Sequence, residues 1–347
     1  MNQVIIHAGF HKTATTSIQK TCARNQDKLE KLGFNYPLFY LNNRVIDNHS
    51  IPLYTLFASH PDNYHINIRW AVDISEANQQ YEQQLNDILE KKCQKIILSG
   101  EDISHFTELE FSRMLNKIYS YGYDVRVIVF VRSPFSYLSS SIQEEVKTGL
   151  PIEKVNYRHT INEIQKISSV FPEAEFFSFQ EACKHSHGPI GYFLNLINID
   201  DFSDLEFCDS NISMSNQAIR LISYINQEQP LIIENQINPF RCNGDIKHFY
   251  RIKGEKFRLN HHELEKFQNE IDKENEFLAE KYGVSFCDQK PYLLSENNDW
   301  SEQQLEQLKI VISKIDNQNL TMIAYDYFKN KIHLDKQKVS EIFFHKI

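Results

Sequence analysis

Residues 4–17 read VIIHAGFHKTATTS and are the most informative stretch of the chain for its fold class. A short apolar run is followed by a loop with one glycine and then by hydroxyl-rich residues. Apolar residues Ile18, Cys22, Leu29 and Leu32 recur at helical spacings, and Gly33 takes the usual C-cap position. The order strand, loop, helix is typical of the first unit of an α/β fold.

Further apolar runs repeat this pattern along the first 200 residues. They predict strands at 95–98, 125–131 and 175–179, with a short edge strand at 34–37. The strands at 4–7, 95–98 and 125–131 lack strict alternation, as expected for strands covered on both faces. The sequence therefore predicts a P-loop-like, three-layer α/β fold with a mostly parallel central sheet.

The C-terminal part has a different character. Long polar helices are predicted over 213–228, 261–282 and 301–315, while 285–300 has no regular pattern. We expect an α/β core over 1–205 with the cofactor site, and a helical extension over 206–347 that packs on it and contributes to an acceptor site. Because no linker separates the two, one single domain is the alternative.

Composition limits the class of protein. With 347 residues, 41% hydrophobic and 24% charged, the chain can bury a sizeable core. Its apolar runs are far shorter than the roughly 18 residues of a membrane span, and its first residues lack the basic start of a cleaved leader. Six dispersed cysteines without a C-x-x-C pair suit reduced thiols, so we expect a cytoplasmic protein.

Net charge bears on the partners. The formal charge of −9 argues against general nucleic-acid binding, because such proteins usually present a basic face to phosphates. An anionic ligand would need a local site. Sequence does not reveal the oligomeric state.

Such a local site is predicted in the loop after the first strand. A helix N-terminus there offers backbone N–H groups and the positive end of the helix dipole. It is not a Walker A motif, which requires G-x-x-x-x-G-K-[ST]. A loop that only caps the helix is the alternative, since Thr and Ser are favoured at caps. The candidate anion-binding residues are Gly9, His11, Lys12, Thr13, Ala14, Thr15, Thr16 and Ser17.

A second candidate anion site follows the strand at 125–131. Arg132 leaves the carboxyl end of that strand, where ligands bind in open α/β sheets. Ser133-Pro134 then begins a helix on which Ser140 lies eight residues after the arginine. A guanidinium and a hydroxyl suit a phosphate, although an arginine at a strand end is often only a surface ion pair. Two anion sites at one sheet edge suggest a ligand with two separated phosphate-like groups.

These two motifs resemble those of sulfotransferases that use 3′-phosphoadenosine 5′-phosphosulfate (PAPS). The loop around Lys12 resembles their 5′-phosphosulfate loop, and Arg132 with Ser140 resembles their 3′-phosphate motif. Ala14 departs from the pattern, because the family often has glycine there. Segments 32–37, 211–226 and 256–259 are similar to bacterial sulfotransferases that modify glycans in polysaccharide biosynthesis.

The resemblance implies PAPS as sulfuryl donor and a hydroxyl-bearing acceptor, such as a glycan, with no metal required. A peripheral encounter with a lipid-linked glycan is compatible with it. The transferred sulfuryl group carries one negative charge, whereas a terminal phosphoryl group carries about two. Hydrogen-bond donors of the protein could therefore stabilise it without magnesium. Lys12 would stabilise the leaving oxygen, and in-line alignment of the acceptor would supply much of the rate.

An acceptor hydroxyl must lose a proton, so a base is needed. Glu101 follows the strand at 95–98, and many sulfotransferases place a glutamate or histidine base at such a strand end. Asp102 is its neighbour, and His49 is the second candidate because imidazole titrates near neutrality. A helix-cap carboxylate and a surface histidine are the structural alternatives.

Two weaker motifs complete the set of candidates. Arg251 and Lys253 precede Gly254 and loosely resemble a tract that grips the 3′-phosphate in cytosolic sulfotransferases, with a solvated loop as the alternative. Cys183, His185 and His187 match no standard zinc spacing, so we expect a polar loop and predict no metal site.

The sequence thus predicts a sulfotransferase that transfers sulfuryl from PAPS to a sugar hydroxyl. One rival is a small-molecule kinase, in which Lys12 grips ATP and Glu101 or Asp102 holds magnesium. Another is a protein that binds a nucleotide or glycan without turnover. The acceptor and the sulfated position stay open.

Overall fold

A computed structural model describes residues 2–208, 213–233, 236–242, 244–288, 291, 299–332 and 334–344. The chain divides into two units, each assembled from segments that are separate in sequence. Unit 1 comprises Met1–Ser133, His159–Asn211 and Glu274–Cys287, and unit 2 comprises Pro134–Arg158, Ile212–Lys273 and Asp288–Ile347.

The strands are β1 (Gln3–His7), β2 (Phe34–Asn35), β3 (Phe39–Leu41), β4 (Arg44–Ile46), β5 (Lys95–Ser99), β6 (Asp124–Val131), β7 (Glu175–Ser178), β8 (Ile232–Ile233) and β9 (Gln236–Ile237). The helices are α1 (Thr15–Arg24), α2 (Gln26–Lys31), α3 (Ser50–Phe57), α4 (His65–Trp70), α5 (Ile74–Glu90), α6 (Glu108–Ser120), α7 (Pro134–Lys147), α8 (Ile161–Val170), α9 (Phe179–Lys184), α10 (Gly188–Leu196), α11 (Asn216–Glu228), α12 (His261–Glu265), α13 (Gln268–Tyr282), α14 (Glu302–Ser313), α15 (Gln318–Tyr327) and α16 (Lys336–Phe343).

Unit 1 is built on a parallel sheet of five strands among the described residues, in the order β2–β5–β1–β6–β7. The first strand lies in the middle, where Ile5 is opposite Ile97 of β5 and Arg126 of β6. The strands predicted at 4–7, 95–98, 125–131 and 175–179 are confirmed, and the one at 34–37 is the edge strand β2. The carboxyl ends of β1, β5 and β6 therefore meet at one edge of the sheet.

Both faces of this sheet are covered. Val4 and Ile6 of β1 point into an apolar core with side chains of α5 and α6, whereas Ile5 points into a second core with α1 and α10. The same alternation of faces holds for β5 and β6. This arrangement explains why the central strands have runs of consecutive apolar residues rather than apolar residues at alternate positions.

The helix predicted to run from β1 to Gly33 is divided at Asn25 into α1 and α2. The side-chain Nδ2 of Asn25 donates to the Thr21 carbonyl at 2.7 Å and to the Glu206 carbonyl at 2.9 Å. These bonds end α1 and attach the junction to a distant segment. Gly33 has φ of +83°, which fits its predicted role as the cap.

Unit 2 is mainly helical. Its core joins Leu138 and Ile142 of α7 to Ile219 and Ile222 of α11 and to apolar side chains of α14 and α15. The helices predicted at 213–228 and 301–315 are α11 and α14, and the one predicted at 261–282 is divided into α12 and α13. Strands β8 and β9 form a short antiparallel hairpin.

The division into units differs from the boundary expected at residue 205. Segment 134–158 belongs to unit 2 because the apolar side of α7 packs in the core that contains α11. Conversely, Glu274 belongs to unit 1, where its carboxylate accepts from the backbone N–H groups of Thr160 and Ile161. Both contacts join residues far apart in sequence.

The described residues bear on two further expectations, one about a membrane span and one about the segments quoted for the resemblance. Within the described part of the chain, no helix combines the length and apolarity that a bilayer crossing needs. Asn211 and Ile212, which belong to a segment quoted for the sulfotransferase resemblance, lie outside the described residues, as does part of 285–300.

Candidate functional site

The loop between β1 and α1 has an unusual backbone. Lys12 and Ala14 adopt left-handed conformations, with φ of 68° and 62°. The Thr13 hydroxyl closes the turn by donating to the Phe10 carbonyl at 2.5 Å. The residue at the N-cap of α1 is Ala14, whose side chain makes no capping hydrogen bond. Anions bind at helix N-termini in proteins because the first backbone N–H groups have no acceptor within the helix itself.

Gly9 is fixed by its neighbours. A Cβ atom there would lie 2.7 Å from Nε2 of His7 and 3.0 Å from a methyl carbon of Thr15. His7 is fully buried, its Nδ1 is 2.9 Å from the Ser99 hydroxyl, and burial lowers its pKa to about 3. In the described part of the chain its Nε2 has no hydrogen-bond partner. The loop therefore folds tightly over a neutral imidazole, and only glycine fits at position 9.

Arg132 joins the second predicted motif to this loop. Its Nη1 donates to the Lys12 carbonyl at 2.9 Å, across 120 residues of sequence. The guanidinium also lies over the ring of Phe179, 5.6 Å from the centroid. Two cationic side chains that the sequence predicts to bind anions thus belong to segments that meet beyond the ends of β1 and β6.

Glu101 lies against the same loop. It follows β5 and begins a 3-10 helix that runs from Glu101 to His105. Its Oε2 accepts from the Thr15 hydroxyl at 2.6 Å, and its Oε1 is 3.8 Å from Nδ1 of His11. The carboxylate is about one-quarter exposed, at 24%. The Thr15 hydroxyl therefore orients Glu101. The sequence predicts instead that Thr15 binds the anionic ligand.

A polar cluster around Asp102 adjoins Glu101. Nε2 of His11 lies 3.0 Å from Oδ1 of Asp102, and Nδ1 of His105 lies 3.6 Å from the same oxygen. The Tyr64 hydroxyl donates to the other carboxylate oxygen at 2.7 Å. His11 and His105 are stacked, with ring centroids 4.9 Å apart. Asp102 itself is almost fully buried.

Charge pairing sets the ionisation of this cluster. Burial opposes the charge on Asp102, but hydrogen bonds from His11 and Tyr64 outweigh it and hold the pKa of Asp102 below its ordinary value. Burial also opposes the charge on His11, yet Asp102 and Glu101 raise the pKa of its imidazole. The two groups therefore favour an ion pair.

His49 occupies a different environment from the one expected of a base. It is fully buried, its Nδ1 accepts from the Ser99 N–H at 2.8 Å, and its Nε2 donates to the Pro37 carbonyl at 2.6 Å. Burial lowers the pKa of His49 to about 4. Because both ring nitrogens are bonded to the backbone, the geometry gives His49 a structural role and does not support it as a base.

The other predicted residues are distributed over both units. In unit 1, Ser17 is buried and Thr16 is exposed on α1. In unit 2, Ser140 lies half-buried on α7, while Arg251 and Lys253 are exposed beside a cavity of about 410 Å³ lined also by Tyr250. Binding of a cofactor by Ser140, Arg251 and Lys253 stays a prediction.

The polar loop predicted at 183–187 is only partly a loop, because Cys183 belongs to α9 and His185 is the C-cap of that helix. Nδ1 of His185 accepts from the backbone N–H of His187 at 3.1 Å, and its Nε2 is 3.1 Å from the amide nitrogen of Asn195. Both nitrogens of His185 therefore make contacts within the loop and the helix that follows it.

Sequence reasoning missed the cluster of His11, His105 and Tyr64 on Asp102. The spacing Asp102-x-x-His105 was the available signal, because residues three apart share one side of a helical turn. No local pattern connects Tyr64 to Asp102, which is 38 residues away.

Comparison of the chain with protein-family models, curated protein sequences and solved structures gave no significant match. A fold by itself does not define a reaction. The functional conclusion therefore depends on the site geometry and on the resemblance of the two motifs.

Proposed function

We propose that this protein is a PAPS-dependent sulfotransferase that transfers sulfuryl to a hydroxyl group of a sugar or glycan. The observation that carries the proposal is the 2.9 Å hydrogen bond from Arg132 to the carbonyl of Lys12. It brings together two segments whose motifs were assigned to the two charged ends of one nucleotide. The central position of β1 in the sheet also suits the P-loop-like fold that the resemblance implies.

The residues of unit 1 fit such a ligand. Lys12 and Ala14 have left-handed backbones directly before the N-terminus of α1, and left-handed residues at such a position are typical of anion-binding nests. Lys12 would hold the 5′-phosphosulfate and Arg132 the 3′-phosphate. When bound, PAPS would supply an activated sulfuryl group. The Arg132 guanidinium is oriented by the Lys12 carbonyl and by the face of Phe179.

Glu101 is the base in this proposal. It lies at the carboxyl end of β5, its side chain contacts Thr15 at the end of the loop that carries Lys12, and it is partly exposed. The Thr15 hydroxyl holds one carboxylate oxygen, so the other can accept the proton of the acceptor hydroxyl. Lys12 would stabilise negative charge on the leaving oxygen.

The kinase rival has less support at Asp102. Its two carboxylate oxygens face Tyr64, His11 and His105, so hydrogen-bond donors and imidazoles surround the position. Magnesium prefers oxygen ligands and retained waters. Glu101 alone would then have to serve as its carboxylate ligand.

Thermal unfolding with two nucleotides tests the proposed class. Adenosine 3′,5′-bisphosphate without metal is expected to raise the melting temperature, because a ligand that binds only the folded state stabilises it. A rise with ADP and magnesium, and none with the bisphosphate, would contradict the proposal and favour the kinase.

Glu101→Gln tests the base in the same assay format. The variant is expected to keep the rise with bisphosphate, since the amide is the same size, and to lose sulfuryl transfer from PAPS to sugar acceptors. Turnover equal to that of the parent chain would remove Glu101 from the mechanism.

A further inference from the structure

We propose that His11, Asp102 and His105 form a binding site for one divalent transition-metal ion, for which zinc is the best match. The three residues lie at the carboxyl edge of the sheet in unit 1. The inference goes beyond sulfuryl transfer and does not depend on it, because it uses the ligand geometry of these side chains alone.

Distances between the ligand atoms carry the argument. Oδ1 of Asp102 lies 3.0 Å from Nε2 of His11 and 3.6 Å from Nδ1 of His105, and all three ligand atoms lie within 4.8 Å of one another. Zinc bonds of roughly 2.0–2.1 Å in a tetrahedron separate ligand atoms by about 3.3 Å. The two measured separations bracket that value. The third separation, between the two imidazole nitrogens, is at most 4.8 Å, so movement of these rings towards each other would complete the arrangement.

The donor set selects the kind of metal. Two imidazole nitrogens and one carboxylate oxygen are the ligands of zinc and of similar first-row ions. Calcium and magnesium prefer oxygen ligands throughout. Three protein ligands would leave a fourth position for water or a substrate atom, as in catalytic rather than structural zinc sites.

Neighbouring groups orient these ligands in the way that metal sites require. The Tyr64 hydroxyl donates to Oδ2 of Asp102 at 2.7 Å, which directs Oδ1 to the imidazoles. The Asp102 backbone N–H donates to the Ser50 hydroxyl at 3.0 Å. Nδ1 of His11 faces Glu101 at 3.8 Å, so the carboxylate can polarise the ring from the side opposite the metal.

Exposure provides an entry path. The side chain of Asp102 is 6% exposed, whereas those of His11 and His105 are 32% and 46% exposed. The carboxylate thus forms the floor of the site, and the imidazoles form its rim. A hydrated ion could exchange its waters for these ligands from the solvent side.

Isothermal titration of the full chain with zinc chloride, after treatment with a chelator and without nucleotide, tests the site. The parent chain is expected to bind one zinc ion, and His105→Ala to bind it at least tenfold more weakly. His185→Ala is the matched control, since His185 lies in a separate histidine pair, and it should leave the affinity unchanged. No binding by the parent, parent-like binding by His105→Ala or lost binding in His185→Ala would overturn the proposal.

Tyr64→Phe provides a second variant that keeps all three ligands. Loss of the hydroxyl that orients Asp102 is expected to weaken zinc binding about tenfold. Affinity equal to the parent's would contradict coordination by Asp102. Both variants are first checked for a cooperative thermal transition without metal. Because no nucleotide is present, a failure here leaves the sulfotransferase proposal standing, and a failure of the nucleotide experiments leaves this one standing.

Discussion

Ser99, the last residue of β5, is held by two buried imidazoles. Its hydroxyl contacts Nδ1 of His7 at 2.9 Å, and its backbone N–H donates to Nδ1 of His49 at 2.8 Å. Burial lowers the pKa of both rings, so both are neutral in the folded protein near neutral pH. The two histidines therefore fix the strand end from which Glu101 is presented.

These histidines predict an acid-sensitive fold. Unfolded histidine has a pKa of about 6.5, whereas that of folded His49 is about 4. The folded state binds fewer protons, so its stabilisation is complete above about pH 6.5 and is lost as the pH falls towards the folded pKa. His49→Gln should reduce the pH dependence of the unfolding free energy by up to about 1.4 kcal/mol per pH unit.

Urea unfolding of the parent and of His49→Gln at about pH 7 and about pH 5 measures this difference. Carboxylates that titrate in both proteins contribute equally to the pH dependence of the unfolding free energy, so their contribution cancels in the comparison. Equal pH dependence in the two proteins would show that His49 does not remain neutral in the folded state.

Local motifs identified some site residues and could not identify others. Lys12, Arg132 and Glu101 were predicted because each follows a recognisable apolar strand. The role of His49 depends on the Pro37 carbonyl and on the Ser99 N–H, the latter 50 residues away. Nothing local to His49 distinguishes such a buried imidazole from a catalytic one.

Among the elements, the central strands were predictable because burial on both faces gives β1, β5 and β6 runs of consecutive apolar residues. The division of the first helix was not, because Asn25 ends α1 through a bond to Glu206, 181 residues away. The hairpin of β3 and β4 and the long helix α5 were not predicted. Those two strands are short, with three residues each.

The start of α1 carries strain that a substitution can relieve. Ala14 has φ of 62°, which costs a residue with a Cβ about 1–2 kcal/mol. Glycine removes that cost but adds about 0.4–1 kcal/mol of unfolded-chain entropy. Ala14→Gly is therefore expected to raise the unfolding free energy by about 0.5 kcal/mol in urea titrations.

Gly33→Ala is the matched control for Ala14→Gly. Gly33 has φ of +83°, and an added Cβ would lie 2.8 Å from the amide oxygen of Gln94. This substitution should lower the unfolding free energy by about 1–2 kcal/mol. If both substitutions changed stability in the same direction, backbone strain at Ala14 would not explain the result.

For the whole molecule, the alternation of short apolar and amphipathic segments was enough to predict the α/β class and the parallel sheet. The partition into units did not, because it depends on which helices share a core. Leu138 of α7 and Ile219 of α11 are far apart in the chain yet lie in one apolar cluster. Periodicity shows that a helix has an apolar side without showing which partner covers it.

In the proposed function, the Lys12 loop and Arg132 bind different ends of one nucleotide. Arg132 also donates to the Lys12 carbonyl, so a loss of binding in Arg132→Ala could arise from the loop alone. Ligands that carry only one of the two phosphates separate these effects, because each should respond to one side chain.

The most direct measurement is therefore calorimetric titration of the parent, Lys12→Ala and Arg132→Ala with adenosine 5′-phosphate, adenosine 3′-phosphate and adenosine 3′,5′-bisphosphate. We expect Arg132→Ala to abolish the gain in affinity due to the 3′-phosphate and to retain the gain due to the 5′-phosphate, with the reverse pattern in Lys12→Ala. Equal weakening of all three ligands by Arg132→Ala would contradict two separate contacts on one nucleotide.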